Sequence, residues 1–325
     1  GGIMSTLRTA SAVAPGALPD VTLLRRADLL AAAQAGLIYP LDEVISAALL
    51  DDMHVSAVEL GRVEDQLFGL PYALEVQHIA YDPDRYPDEG WSYDDVLEQG
   101  KSFVFAAGRA NTLSDVFLVQ YLSAGGSLSD TGVLIAEEEV LRRQFRFYEQ
   151  AVDAGLLDPI VLEYTHSTNY QQELAQGSLG AGVVTSTIYL NLIENDAPTA
   201  FDSIPTDSGQ PTTVLDGWMW VFTSADPDRQ ALALRFLNWM MDVERQGEYN
   251  HAVNMLPSQR TALRQQEDPV YADFVDRLLE GAVLPLGETS GSTTARVIQT
   301  ALASVISGQR SAAEAAQDVV SQLGA

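Results

Sequence analysis

The sequence predicts an α/β protein folded as two lobes, and three observations carry that expectation. Apolar strand-like runs alternate with helical patterns along the whole chain, which places strands and helices in layers rather than in a sandwich or a bundle. The 325 residues exceed what one hydrophobic core usually organises and suit two domains of ordinary size. Finally, the run Leu67–Asp82 reads as a strand yet carries Pro71, Glu75 and Gln77 in its middle. Proline removes a ladder donor and a buried carboxylate requires a partner, so a strand holding both fits a segment that crosses between lobes at a cleft. Tyr72, Glu75 and Gln77 then stand at the cleft mouth.

Taken in order, Val21–Leu24 reads as a strand, followed by a helix over Ala27–Ala35 that Gly36 stops, glycine being at ease in the left-handed position after a helix. Ser92-Tyr93-Asp94-Asp95 has the form of a capping box that opens a further helix. Phe103–Ala106 reads as a short strand. From Glu137 to Ala154 the spacing of Val140, Leu141, Phe145, Tyr148 and Val152 predicts one apolar helical face, with Glu138 and Arg142 paired one turn apart outside. Gly180–Val184 and Trp218–Phe222 read as buried strands, and Ile204–Pro211 between them is rich in turn residues. Asp226 caps a helix that begins with Pro227, where a missing N–H costs nothing, and whose expected core face is Leu232, Phe236, Trp239 and Met240. The end is helical from Ser292 to Gly308, and Ser311 to Glu314 forms a capping box that opens the last helix. No internal repeat and no low-complexity linker interrupts the chain. Lobes without a tether imply a chain that crosses between them more than once, through short ordered hinges.

Charge and composition exclude several functions. Forty-five acids against 18 bases give a formal net charge of −27, which repels phosphate backbones and anionic membranes, so nucleic acid is not an expected partner. The absence of cysteine removes disulfides, thiolate metal sites and cysteine nucleophiles. His54, His78, His166 and His251 lie far apart without metal-ligand spacing, and the chain has no serine-nucleophile elbow, phosphate loop or dinucleotide fingerprint. No catalytic residue, metal or cofactor is therefore expected. No apolar run is long enough to span a membrane and no signal-peptide core opens the chain, so any export signal is expected upstream. Among the aromatics, Tyr72, Tyr81, Tyr189, Trp218 and Trp220 fall at strand edges or beside turns. A ring there stacks on the apolar face of a sugar or simply fills core, and both readings stand at this point. Glu75 likewise binds ligand or pairs with an arginine across a hinge.

The order of these features resembles the extracellular solute-binding proteins of ABC importers, family 1, the group of maltose- and oligosaccharide-binding proteins. The similar segments are Ala14–Val21 with Ala35–Asp42, Gly69–Tyr72 through Tyr81–Asp82 with Trp91 after it, and Tyr121–Gly126. Further on they are Ala175–Val183, where Val183 replaces a usual methionine, then Pro205-Thr206 with Gly209–Pro211 and Asp216–Trp218, and finally Leu256–Ser258 with Gly308. Each is weak alone, and it is their order that identifies the family. One departure stands out: the family starts with a strand, a helix and a second strand before the point where this sequence opens, and Gly1–Ala14 looks like the tail of that helix.

The resemblance implies a two-lobed periplasmic-binding-protein-like fold with a hinge of about three crossings, near 75–77, 215–217 and 285. Lobe 1 would take 1–74 plus 219–284 and lobe 2 would take 78–214 plus 286–325. It implies a monomer outside the cytoplasm, periplasmic or tethered as a lipoprotein, that closes on a small ligand and delivers it to the transmembrane subunits of an ABC permease. Carried over residue by residue, Glu75 aligns with a carboxylate that binds sugar hydroxyls, Trp218 falls where members stack a ring, and Arg25 and Arg26 lie on a contact loop. Tyr72, Gln77 and Asp216 belong to the crossings. Asn111, Asp115, Thr185, Ser186, Tyr189 and Arg296 are second-lobe candidates, with Asp115 and Arg296 replacing aromatics of the maltose-binding members. A sugar or oligosaccharide is the implied ligand. The alternatives are a polyamine, which requires acids with aromatics, a glycerol phosphodiester, which requires bases, a sensor for a membrane receptor with the same cleft, and a glycoside hydrolase with two facing carboxylates.

Overall fold

Eight strands form among the described residues of the computed structural model, which are 2–108, 112–129, 132–285 and 292–324. They are β1 (Val21–Leu24), β2 (Arg62–Val63), β3 (Gln66–Leu67), β4 (Leu70–Tyr81), β5 (Ala181–Thr185), β6 (Ala200–Asp202), β7 (Leu215–Phe222) and β8 (Leu256–Pro257). The chain divides into two compact units, Gly1–Val76 with Leu215–Gly287 and Gln77–Val214 with Glu288–Ala325. Strand β4 therefore contributes its first seven residues to one unit and its remainder to the other.

In the first unit β1, β7, β4 and β8 pair antiparallel in that order. Residues on β7 alternate, with Gly217, Met219 and Val221 buried and Asp216, Trp218 and Trp220 half-buried on the opposite face. Register brings Leu23 opposite Trp220, Ala73 opposite Trp218 and Glu75 opposite Asp216. Pro71 is tolerated because the ladder is irregular between Pro71 and Ala73, and its carbonyl accepts from Ser258 Oγ at 2.7 Å. At that bulge Tyr72 is buried, its ring 5.6 Å from Trp220 and 5.2 Å from Tyr249. Leu70, Phe222, Leu237 and Met241 continue this core.

The second unit builds on the rest of β4, which pairs with β5 on one side, Gln77 opposite Thr185, and with β6 on the other. The helix Glu138–Asp153 buries Leu141, Phe145 and Tyr148. A buried amide, Gln120, joins the layers: its Nε2 donates to Pro205 O at 2.7 Å, and its Oε1 accepts from Gln144 Nε2 and from Tyr148 OH. The single lysine, Lys101, is 1% exposed. Its ammonium donates to the carbonyls of Asp88 at 2.6 Å and Gly90 at 2.7 Å and lies 5.0 Å from the centroid of Trp91.

The capping boxes at Ser92 and Ser311 and the Asp226-Pro227 start are as the sequence indicates. Three expectations are corrected. Phe103–Ala106 is no strand: only Val104 makes a bridge, to Gly182. The amides here bond to three different segments, Phe103 to Leu156 O, Val104 to Ala181 O and Ala107 to Val161 O, so no ladder can run. On the helix Pro227–Met240 the buried stripe is Ala233 and Leu237, continued by Met241, while Leu232 and Trp239 are 62% and 52% exposed. Small Ala233 faces the sheet, and that turns the larger residues outward; Phe236 keeps only an edge contact with Trp220, ring centroids 5.4 Å apart. Arg142 pairs with Glu139, three residues back, rather than with Glu138.

Candidate functional site

The first unit gathers three of the predicted site residues around the guanidinium of a fourth, Arg25. Register sets Glu75 and Asp216 directly opposite each other on β4 and β7, an arrangement in which two carboxylates repel. Arg25 resolves it. It follows β1 as the N-cap of the helix Arg26–Gln34, and its side chain reaches Glu75 Oε2 through Nη2 at 2.7 Å and Asp216 Oδ2 through Nε at 3.0 Å. The same guanidinium carbon lies 5.5 Å from the ring centroid of Trp218. Burial alone would lower the pKa of Arg25, but Asp216 and Glu75 outweigh it and leave it above the ordinary value. Burial raises the Asp216 carboxyl, with Arg25 and the Gly217 amide opposing.

Other members of the predicted set are placed differently. The Arg26 guanidinium donates to the carbonyls of Leu60 at 2.9 Å and of Arg62, while its backbone amide supports the Asp216 carboxylate. Tyr72 lies in the core, where burial pushes its phenol up to about 12. The alternative reading of Glu75, an ion pair with arginine, is what forms, although that arginine belongs to the same unit and to the site itself.

The second unit holds its own group. Gln77 is clamped through its backbone, the N–H donating to Thr213 Oγ1 at 2.7 Å and the carbonyl accepting from that hydroxyl at 2.8 Å. Its side-chain Nε2 donates to Asp115 Oδ2 at 3.3 Å. Thr185, across the ladder from Gln77, caps the helix Ser186–Glu194. Ser186 and Tyr189 are buried beneath, with the Tyr189 ring edge-on to His78 at 5.0 Å. Arg296 is exposed on the helix Thr293–Ile306, and Asn111 lies outside the described residues.

Sequence reasoning missed two residues that shape these groups. Thr213 carries no recognisable signal. Gly217 does, because a glycine inside a strand marks a close backbone approach: a Cβ there would lie 2.5 Å from Ala73 O on the neighbouring strand. Gly217→Ala is expected to push β4 and β7 apart at the step between Asp216 and Trp218, at a cost of about 1–3 kcal/mol. A melting temperature equal to that of the parent protein would show that the strands yield freely. Among the described residues no group of three or more His, Asp and Glu side chains stands close enough to hold a metal.

The profile of a family described as bacterial extracellular solute-binding protein matches residues 2–273. A comparison with curated protein sequences gave no match. Among solved structures, the maltose-binding protein MalE of Listeria monocytogenes in complex with maltose superposes with a TM-score of 0.77 at 15% identity, covering 98% of this chain and 87% of its own. The maltose-bound MalE3 of T. maritima gives 0.75 at 15% identity, with the same 98% and 87% coverage. A cyclic alpha-maltosyl-1,6-maltose binding protein from Arthrobacter globiformis gives 0.73 at 18%, covering 97% and 86%.

Proposed function

Because this chain belongs to the bacterial extracellular solute-binding proteins, ligand-binding components of ABC importers, we propose that it captures a sugar or oligosaccharide and hands it to the transmembrane subunits of an ABC permease. Proteins of this family bind their substrates and do not convert them. The observation that carries the saccharide reading is the Arg25, Glu75, Asp216 and Trp218 group. Fixed charged acceptors, a fixed donor and an indole ring within one side chain's reach are what a pyranose needs, hydroxyls for the former and an apolar face for the latter. The solved neighbours described above are named for maltose and for a cyclic maltosyl-maltose, which supports the same class. In this reading Gln77, Asp115 and Thr185 are further ligand-binding candidates, and the ligand shifts the population toward the form for which it has the higher affinity.

The protein acts as a monomer outside the cytoplasm, free in a periplasm or tethered to the membrane as a lipoprotein. Among the described residues no helix is long and apolar enough to cross a membrane. A thermal-shift screen with maltose, maltotetraose, cellotriose, a glycerol phosphodiester and spermidine tests the ligand class. A bound ligand raises apparent stability by mass action, by about 2.7 kcal/mol at a hundred times its Kd. The expected result is a rise in melting temperature with at least one saccharide. A rise with spermidine or the phosphodiester and with no saccharide overturns the reading.

A further inference from the structure

The charges of the first-unit group do not balance. Glu75 and Asp216 share one guanidinium, so the three side chains together carry one uncompensated negative charge. Arg26 is the next cation in sequence; its guanidinium donates to the carbonyls of Leu60 and Arg62 and lies in the field of Glu59 as well as of Asp216, so counting Arg26 together with Glu59 leaves the same excess of one negative charge. The two Glu75 oxygens also differ: Oε2 takes the Arg25 donor, while Oε1 has no partner among the described residues. Both Asp216 oxygens are engaged, Oδ1 by the Gly217 amide at 2.8 Å and Oδ2 by Arg25. The open acceptor is thus a specific atom, Glu75 Oε1, beside an indole that already carries a cation on its face.

We propose that the saccharide bound here is an amino sugar, whose protonated amine donates to Glu75 Oε1. This inference rests on the saccharide reading above and adds the charge of the ligand to it. A hydroxyl at that point would satisfy the oxygen and leave the charge, whereas an ammonium satisfies the oxygen and neutralises the group without displacing Arg25. A uronic acid would set a third carboxylate against the two present. The net charge of −27 acts in the same direction at longer range, concentrating cationic solutes around the protein.

Calorimetry on the full chain at about pH 6, below the usual range of an amine, tests the proposal with five probes. These are the β-1,4 trimers of glucosamine, N-acetylglucosamine and glucose, with maltotriose and spermidine. The glucosamine trimer is expected to bind about 10-fold more tightly than the other sugars at low salt, with the margin shrinking as salt screens the charge. In Asp216→Asn, which keeps the acceptor for the Gly217 amide and removes the excess charge, the ratio of glucosamine-trimer to glucose-trimer affinity is expected to fall to about one, whatever the change in either affinity alone. A neutral trimer bound as tightly as the glucosamine trimer overturns this inference and leaves the saccharide reading intact. Binding of spermidine alone, or of no probe, overturns both.

Discussion

Glu75→Gln is expected to lower saccharide affinity by about 100-fold while the chain stays folded, because hydrogen bonds to a charged acceptor contribute roughly 1.5–3 kcal/mol each and the site would lose one or two of them. The substitution keeps the size of the side chain and replaces the carboxylate by a neutral amide with a single acceptor oxygen. Arg25 retains Asp216 at 3.0 Å and its place over Trp218, so the local packing has no reason to collapse. Calorimetry with whichever saccharide raises the melting temperature reads the affinity, and circular dichroism reads the fold. If affinity holds and the melting temperature drops instead, Glu75 serves only to anchor Arg25, and the ligand is recognised elsewhere.

Acidification is expected to destabilise the second unit through His78. Its ring is wholly buried on β4, against Tyr189 and Phe201, and its Nδ1–H donates to Ile79 O at 3.0 Å. Burial pushes its pKa down to about 4, against a weaker upward pull from that carbonyl. The sign follows from linkage: the folded state holds the neutral ring. The stability this confers is complete above the unfolded value near 6.5 and is lost as pH falls from there through about 4. Across the whole window the loss approaches about 3 kcal/mol. Asp202 and Asp216, whose carboxyls burial raises, act oppositely, and their stability is lost as pH rises. Acid unfolding of the parent and of His78→Phe separates these contributions, and the variant should show a flatter loss between about pH 6.5 and pH 4. Parallel curves would mean that protonation of His78 costs nothing, and that the ring is reached by water.

What the sequence conveyed and what it concealed follow from the range of the interactions involved. Caps were legible because the donor and acceptor sit within three residues, as at Ser92 with Asp95 and Ser311 with Glu314. Glu75 was legible as an anomaly, a carboxylate in an apolar strand. Its partner was not, since Arg25 is fifty positions away and comes into reach only through the register of β4 on β7. The outward turn of Trp239 was concealed for a related reason. Helical periodicity identifies an apolar stripe, but here two stripes compete, and the choice of Ala233 and Leu237 is made by the sheet they rest on. Phe103–Ala106 has strand composition, yet its neighbours offer it no continuous edge.

The burial of Lys101 gives the second unit a chemical timekeeper. Acylating and alkylating reagents that seek side-chain amines find one candidate in the whole sequence, and its nitrogen is sealed by two carbonyls and an indole. Covalent modification at that nitrogen therefore records openings of the segment around Asp88–Trp91 and leaves the closed population unmarked. A chain with one shielded amine carries its own probe for local unfolding, with no label to be engineered in.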